Sequence, residues 1–208
     1  MITLTEDLRI GKGVEKIAYF HPSDPNICVK IIYSKAKEAA KVIARELQMS
    51  TKIQESHPEV KGLSLFYGTE ETNFGLGYKY ELIRDYDGVM SQTLEEYLES
   101  FDAADENELA KLKDALETLR ERMLDFGIIP MAMYPRNIMV RKLSPDDFEL
   151  VIIDDIGSAV LIPLEYYFKL VADKRIKRHF KRMIEFLKGM RTEQEYVDFF
   201  DAYVKELK

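Results

Sequence analysis

The pattern of apolar residues changes once along this chain, from the alternation typical of strands to the period typical of helices. Residues 1–85 predict several strands and one long helix, whereas residues 86–208 predict mainly helices and one hairpin. The sequence contains no internal repeat. A chain of 208 residues can bury one core, either as a single unit or as two small lobes that share a cleft. We therefore predict an α+β fold with a strand-rich N-lobe, residues 1–85, and a reduced helical C-lobe, residues 86–208.

The N-lobe is predicted to consist of a hairpin, a helix and a further pair of strands. Its predicted parts are a turn at Gly11-Lys12-Gly13, strands 27–33, 63–68 and 77–84, a turn at Asn73-Phe74-Gly75 and a helix 36–54. One face of that helix is apolar and consists of Ala39, Val42, Ile43, Met49, Ser50 and Ile53. Glu46 lies at the centre of this face, so it is the charged residue there that needs an explanation.

The C-lobe is predicted to start after a connection at residues 85–88. Its predicted parts are two helix capping boxes, Thr93 with Glu96 and Thr192 with Glu195, a helix 106–126 that ends at Gly127, a structured loop 128–137, a hairpin of strands 138–140 and 150–153 around the turn 144–147, and helical structure from 163 to 208.

Charge and cysteine content limit the classes of function. The net charge of −7 argues against general binding to nucleic acid or anionic lipid, although the basic segment 174–188 could attract phosphate, an acidic protein or nucleic acid. For that segment a solvated helix face is the favoured interpretation. The single cysteine, Cys28, excludes an intrachain disulfide and predicts an inert buried side chain. No stretch has the length or apolarity of a membrane span or a signal peptide, so the default expectation is a cytoplasmic protein without a membrane partner.

Lys30 and Glu46 form the first candidate constellation. A carboxylate inside an apolar helical stripe needs a cation or donors, and Lys30 lies within an apolar strand on the face shared with Cys28 and Ile32. We expect the two charges to pair. For these two residues alone, the favoured alternative is that Glu46 lies at the edge of the stripe and reaches solvent.

Asn137 and Asp154 form the second constellation. Counting outward from the turn at Pro145-Asp146 places them near each other at the open end of the hairpin. An amide oxygen and a carboxylate in this position suit Mg²⁺, which takes oxygen ligands from protein, phosphate and water. Taken separately, a turn-capping Asn and an exposed Asp are the commoner outcome.

Gly11 and Gly13 form the third constellation, because glycines allow backbone amides to approach a phosphate closely. A Gly-x-Gly pattern by itself more often marks an ordinary hairpin turn. The order of the three constellations along the chain, however, resembles that of a protein kinase. The resemblance implies a kinase-like fold that binds ATP and Mg²⁺. In it Gly11, Gly13 and Lys30 hold phosphates, Glu46 orients Lys30, and Asn137 and Asp154 hold the metal, with Lys30, Glu46 and Asp154 required for any catalysis.

Several further motifs resemble the bacterial YrbL family of kinase-like proteins, which is associated with the PhoP regulatory network. The matching segments are Gly11-Lys12-Gly13, Tyr19-Phe20-His21-Pro22, Val29-Lys30-Ile31, Arg45-Glu46-Leu47, Tyr67-Gly68-Thr69, Gly75-Leu76-Gly77-Tyr78, Asp87-Gly88, Asp154-Asp155-Ile156-Gly157 and Leu161-Ile162-Pro163-Leu164. The resemblance weakens after about Phe186. Asp155-Ile156-Gly157 also matches the kinase Asp-Phe-Gly motif, whereas the family spacing and the hairpin favour Asp154 as the metal ligand, with Asp155 pointing away along the strand.

The resemblance also shows what the chain lacks. Kinases carry a catalytic Asp five residues before the metal-binding Asn and a Lys two residues after that Asp, and here these positions hold Ala132 and Tyr134. Asp155, Asp85 or Asp87 are the candidate replacements. Two functions therefore stay open: an atypical phosphotransferase acting on a protein or small molecule, and a nucleotide-binding pseudokinase with a regulatory role. The alternatives are a non-catalytic scaffold and a nucleic-acid-binding regulator that uses segment 174–188; nucleic acid is the less expected partner because the chain is acidic overall.

Overall fold

The computed structural model describes residues 1–33, 37–157 and 168–207, with side chains described outside residues 37–42. The described part combines two antiparallel sheets with five α-helices, which confirms the mixed α+β class. The family-like segment at 161–164, the predicted helix start at Ala36 and the predicted helical residues 163–167 lie outside the described residues. The side chains of Ala39 and Val42 do so as well.

The first part of the chain forms a five-stranded antiparallel sheet with strand order β1-β2-β3-β5-β4, which we call the N-terminal sheet. Its strands are β1 Arg9–Lys12, β2 Lys16–Phe20, β3 Ile27–Ile32, β4 Phe66–Thr72 and β5 Gly75–Glu81. Between β3 and β4 runs the helix α1, Lys37–Ser56. It ends before His57-Pro58, because the residue before a proline disfavours the helical conformation.

The rest of the described chain forms a small three-stranded sheet and four helices. The strands are β6 Gln92–Thr93, β7 Ile138–Ser144 and β8 Asp147–Ile152, and the helices are α2 Leu94–Glu99, α3 Glu106–Asp125, α4 Lys169–Lys188 and α5 Gln194–Glu206. The largest hydrophobic core lies here, where α3 packs against β8 and α4, and α4 packs against α5. Leu116, Leu119 and Phe180 at its centre are inaccessible to solvent.

The strands β4 and β5 begin and end at other residues than predicted. The segment before β4 does not join the N-terminal sheet, because Ser64 N donates to Ile152 O (2.8 Å) and Ile152 N donates to Gly62 O (2.9 Å). These bonds attach residues 62–64 to β8 instead. As a result β4 begins at Phe66, three residues later than predicted.

Only one of the two predicted capping boxes is formed. Thr93 accepts from the Glu96 amide, and the Glu96 carboxylate accepts from the Thr93 amide. At the second position α5 begins at Gln194 with Glu193 as the N-cap, and the Thr192 box is wrong. The reason is local: Arg191 donates twice to the Glu193 carboxylate, which also accepts from the Thr192 amide (3.0 Å).

Candidate functional site

A cleft of about 460 Å³ lies between the N-terminal sheet and the ends of β7 and β8. Every residue that the sequence predicts for phosphate or metal binding contributes to its lining, whereas Glu46, which was predicted to orient Lys30, bonds to the lining residue Lys16. The predicted residues in the lining are Gly11, Gly13, Lys30, Asn137 and Asp154, and the others that matter below are Lys16, Ala18, Cys28, Glu81, Leu82, Ile83, Arg136 and Met139.

Strand register explains why small side chains cover the cleft. Gly11 is opposite Ala18, and Ala18 is opposite Lys30, so these three residues share one face of the sheet. A β-carbon added at Gly11 would meet no atom within 4 Å. Packing within the protein therefore does not require glycine at this position. The absence of a side chain instead keeps space open in the cleft.

The hairpin turn lies later than predicted. Gly11 is part of β1, and the chain turns at residues 13–15, where the Gly13 amide donates to Lys16 O (2.8 Å). The turn lies there because Gly11 pairs with Ala18 and Lys12 with Ile17, so the strand pairing continues through the residues that were predicted to turn. Both glycines nevertheless stay at the cleft.

The predicted pair of Lys30 with Glu46 is replaced by a different one. Glu46 is 1% exposed, which rules out the solvent-facing alternative. Its Oε2 accepts from Lys16 Nζ at 2.5 Å. The same ammonium group also donates to Asp154 Oδ1, so Lys16 joins the helix carboxylate to the carboxylate beyond β8.

Lys30 makes other contacts. Its Nζ donates to the backbone carbonyl of Ile153 (2.6 Å) and lies 4.0 Å from Asp154 Oδ2. The ammonium group also lies 4.4 Å from the centre of the Tyr80 ring. Lys30 thus connects β3 to the end of β8 and lies near Asp154, a contact not predicted from the sequence.

The charges in the cleft shift one another's pKa values. Burial would raise the pKa of Asp154, but Lys30 and Lys16 outweigh it and hold that pKa well below its usual range. Burial, together with the charge of Asp154, raises the pKa of Glu46 to about 7 in spite of the nearby lysines. Burial would lower the pKa of Lys16, but the two carboxylates outweigh it and raise that pKa. The aspartate therefore stays ionised.

The hairpin arithmetic is wrong by one residue. The strands pair Ile138 with Ile152, and the Ile153 amide donates to Asn137 O (3.0 Å), so Asn137 is opposite Ile153 rather than Asp154. The cause is a register shift between Lys142 and Ser144, which adds a residue to β7 next to the turn. Asn137 and Asp154 still line the same cleft.

Asp155 does not point away as predicted. Its backbone has φ of 61°, and β8 ends at Ile152, so strand alternation no longer applies. Its carboxylate instead accepts from Asn137 Nδ2 (2.7 Å), which leaves the Asn137 side-chain oxygen without a hydrogen-bond partner among the described residues. Burial and the charge of Asp154 raise the pKa of Asp155.

The Asn137 amide oxygen and the Asp154 carboxylate could supply some of the ligands of a magnesium ion, but not a full set of protein ligands. Among the described residues, no cluster of three or more His, Cys, Asp or Glu has metal-binding geometry. The Asn137 amide oxygen and the Asp154 carboxylate are two hard donors of the kind that Mg²⁺ takes along with phosphate oxygens and water.

The loop before β7 contains Ala132, at the position where a kinase carries its catalytic base. Met131 N donates to Asp155 O (2.6 Å) and Gly157 N donates to Ile129 O (2.7 Å), so the loop is held against the Asp154-Asp155 segment. Ala132 offers no proton acceptor. Tyr134 is 39% exposed and packs under the Arg136 guanidinium, 4.4 Å from the ring centre.

Two of the three predicted replacement bases have structural contacts. Asp85 accepts from the Ser91 hydroxyl (2.5 Å) and from the Lys142 amide (3.0 Å). Asp87 accepts from the Val89 amide within a turn (3.0 Å). Asp85 and Asp155 thus each contact a residue of the cleft lining, and Asp155 is the one of the three that bonds to a predicted metal ligand, Asn137.

Lys16 is the residue that sequence reasoning missed. Its pairing partner in β3 is Ile32, which shares a face with Lys30, so antiparallel register alone places both lysines on the cleft side. The signal was present in the alternation of Lys16, Ala18 and Phe20. This alternation indicates a cleft residue only when the pairing of β2 with β3 is known.

The remaining polar candidates lie outside the cleft or are inert. Cys28 is a buried free thiol. Burial raises its pKa, as expected for an unreactive cysteine. His179 is buried within α4, while Lys174, Arg178, Lys181 and Arg182 of the same helix are exposed. No helix in the described ranges is long and apolar enough to cross a bilayer.

Comparison with known proteins places the chain in a family. The family model for the PhoP regulatory network protein YrbL matches residues 2–188. The chain belongs to the YrbL family. YrbL proteins of Escherichia coli (strain K12) and Shigella flexneri are each 34% identical to it over 184 residues, which cover 88% of this chain and 87% of each relative.

The family match includes the whole cleft and ends with α4. Lys188 is the last residue of both the match and that helix. The helix α5 follows this limit, in agreement with the predicted weakening of the resemblance after about Phe186. All the cleft residues of this YrbL-family chain therefore lie in the part shared with the family.

Proposed function

We propose that this YrbL-family protein is a small, two-lobed, kinase-like protein that binds ATP and Mg²⁺ in the cleft. The N-terminal sheet with α1 would be one lobe and residues from 86 onward the other. The observation that carries the proposal is the convergence of Gly11, two lysines, Asn137 and Asp154 on one cavity of about 460 Å³, which is the volume of a small-ligand site.

The apolar end of the cleft suits a base. Met139, Ala18 and residues 81–83 contribute to its lining, so apolar side chains and backbone groups are both within reach of a base. The Ile83 amide makes no hydrogen bond to any described residue, and the Glu81 carbonyl accepts from the Ser64 hydroxyl (3.1 Å). An adenine edge, with one acceptor and one donor side by side, could bond to these two groups.

The charged end suits phosphate and metal. Lys16 and Lys30 bring two positive charges to the cleft lining beside Asp154, and Asn137 and Asp154 supply the oxygens that would hold Mg²⁺. The metal would neutralise phosphate charge and fix the orientation of the triphosphate. The lowered pKa of Asp154 keeps the carboxylate ionised for that role.

Nucleotide binding and phosphate transfer place different demands on the cleft. General-base assistance is worth roughly 10²–10⁴-fold in rate, so an alanine at position 132 leaves positioning and charge stabilisation as the remaining contributions. A phosphotransferase would have to rely on Asp155 as its base, with a protein or small molecule as acceptor. Without transfer, the same cleft makes a nucleotide-binding pseudokinase with a regulatory role.

The melting temperature with and without Mg·ATP tests binding. A ligand at about 100 times its Kd adds about 2.7 kcal/mol to the stability of the folded state, which is a shift of roughly 5–10 °C for a chain of this size. The variant Gly11→Val should melt like the wild type without ligand, because its β-carbon meets open space, and should lose the shift. An unshifted wild type would favour the scaffold instead.

Phosphate transfer needs its own measurement. Incubation with γ-labelled ATP and cell lysate, with Asp155→Asn as the matched variant, separates the two functions. Label that appears with the wild type and not with Asp155→Asn supports a phosphotransferase. A thermal shift without label transfer supports a pseudokinase.

A further inference from the structure

We propose that Lys16, rather than Lys30, is the lysine that contacts the phosphates of the bound nucleotide, and that Lys30 has a structural role. The inference rests on the proposed function, because it assigns a contact within the same cleft. It reverses the assignment that the strand position of Lys30 suggests.

The first step concerns the orienting carboxylate. Glu46, almost fully buried on α1, fixes the ammonium group to which it bonds, and that group is the one on Lys16 at 2.5 Å. The Tyr80 hydroxyl donates to the other oxygen of Glu46 (3.5 Å), so the carboxylate is held from both sides. The lysine that Glu46 orients in this chain is therefore Lys16.

The second step concerns Lys30, whose ammonium group is held by contacts within the protein. It donates to the Ile153 carbonyl at 2.6 Å, a bond between β3 and the end of β8 that involves no ligand. Its ammonium group also lies over the Tyr80 ring. These contacts hold the two parts of the molecule together and leave Lys30 less free to turn toward a ligand.

The third step concerns the position of Lys16. It follows the turn at residues 13–15 directly, on the strand face that covers the cleft. In the described structure its second bond is to Asp154, the proposed metal ligand. If Asp154 held a metal, Lys16 would give up this acceptor and keep Glu46, and its remaining donors would be available to a phosphate in the cleft.

The test compares equivalent lysine substitutions. A fluorescent ATP analogue with Mg²⁺ is titrated into the wild type, Lys16→Met, Lys16→Arg, Lys30→Met and the control Lys79→Met. Lys79 is a strand lysine that pairs with Glu70 at 3.4 Å and does not line the cleft. Competition with ATP and with adenosine then separates phosphate affinity from base affinity.

We expect Lys16→Met to weaken ATP binding by roughly 10- to 100-fold, the usual effect of losing one hydrogen bond to a charged group. Its affinity for adenosine should be unchanged, whereas a general structural defect would weaken the binding of both ATP and adenosine. Lys16→Arg should recover most of the ATP affinity. Lys30→Met should lower the melting temperature while ATP affinity falls less than about threefold, and Lys79→Met should behave like the wild type.

Loss of ATP binding in Lys30→Met with unchanged binding in Lys16→Met would overturn the inference and leave the proposed function standing. Equal losses in both variants would also overturn it, since the lysines would then share the role. If Lys30→Met does not fold, Lys30→Arg replaces it and the Lys16 variants decide. A wild type that binds no nucleotide would instead refute the proposed function itself.

Discussion

The N-terminal sheet and the helical region use buried side chains in different ways. One continuous apolar core contains thirty buried residues, 27 of them in the helical region from Leu94 onward and three, Ile53, Val60 and Leu63, from the part before it, whereas the other described clusters contain three or four buried residues each. The sheet instead buries charged side chains at its cleft face, among them Lys30 and, beneath it, Glu46. This contrast indicates that the helical region supplies most of the stability, while the sheet face supplies the chemistry of the cleft.

The sharpest way to break this comparison is a matched pair of leucine truncations. Leu119 lies in the helical core and Leu4 in the cluster beside the sheet, and both are essentially inaccessible to solvent. We expect Leu119→Ala to cost about 3–5 kcal/mol of unfolding free energy, because a closed core retains the cavity. Leu4→Ala should cost nearer 2 kcal/mol, because a small cluster can collapse around the lost volume. Urea denaturation measures both, and equal costs would refute the contrast.

The next largest effect concerns the charges of the cleft. Asp154→Asn removes the carboxylate that Lys16 and Lys30 share, so two ammonium groups then face each other without it. Breaking a buried ion pair costs about 3–5 kcal/mol, and the partial exposure of this site reduces the expected loss to about 2–3 kcal/mol. Asp155→Asn, which keeps a partner for Asn137, serves as the control. A neutral Asp154→Asn would mean that the charges are not coupled.

Comparing these two regions also separates what the sequence could predict from what it could not. Helix α3, the turn of the β7–β8 hairpin and the Thr93 capping box depend on nearby residues, so local patterns located them. Lys16 on Glu46 depends on pairing across 30 positions, and the one-residue error at Asn137 depends on a register shift that no turn signal reveals. The positive φ of Asp155 likewise occurs where its carbonyl bonds to the distant Met131 amide, a contact that no local pattern indicates.

A titration sharpens the description of the helical core. His179 is buried in α4, its Nε2 has no hydrogen-bond partner among the described residues, and burial together with Arg175, Arg178 and Arg182 lowers its pKa to about 4. The unfolded chain binds this proton near pH 6.5, so the stability associated with neutral His179 is present above that value and is lost between pH 6.5 and 4. A shift of this size corresponds in full to about 3 kcal/mol, and solvent screening reduces the expected loss to about 2 kcal/mol.

The variant His179→Leu isolates this effect from the titration of carboxylates. Its unfolding free energy relative to the wild type should rise as the pH falls from 7 to 4. A difference that does not change with pH would show that His179 is not held neutral by the core.

The smallest effects come from the two threonines that precede helices. Thr93→Ala removes a formed capping box and should cost about 1 kcal/mol. Thr192→Ala should cost less than about 0.5 kcal/mol, because Glu193 and not Thr192 is the N-cap of α5. Thermal unfolding of the two variants side by side decides this, and an equal loss would restore the second capping box.

A crystal structure with Mg²⁺ and a non-hydrolysable ATP analogue tests the central claim most directly. The account predicts the base against the backbone of residues 81–83, the triphosphate under Gly11 with Lys16 in contact, and the metal on Asn137 and Asp154. A nucleotide bound elsewhere on the protein would contradict this account. So would a Lys16–Asp154 bond that persists at saturating nucleotide without any contact between Lys16 and the phosphates.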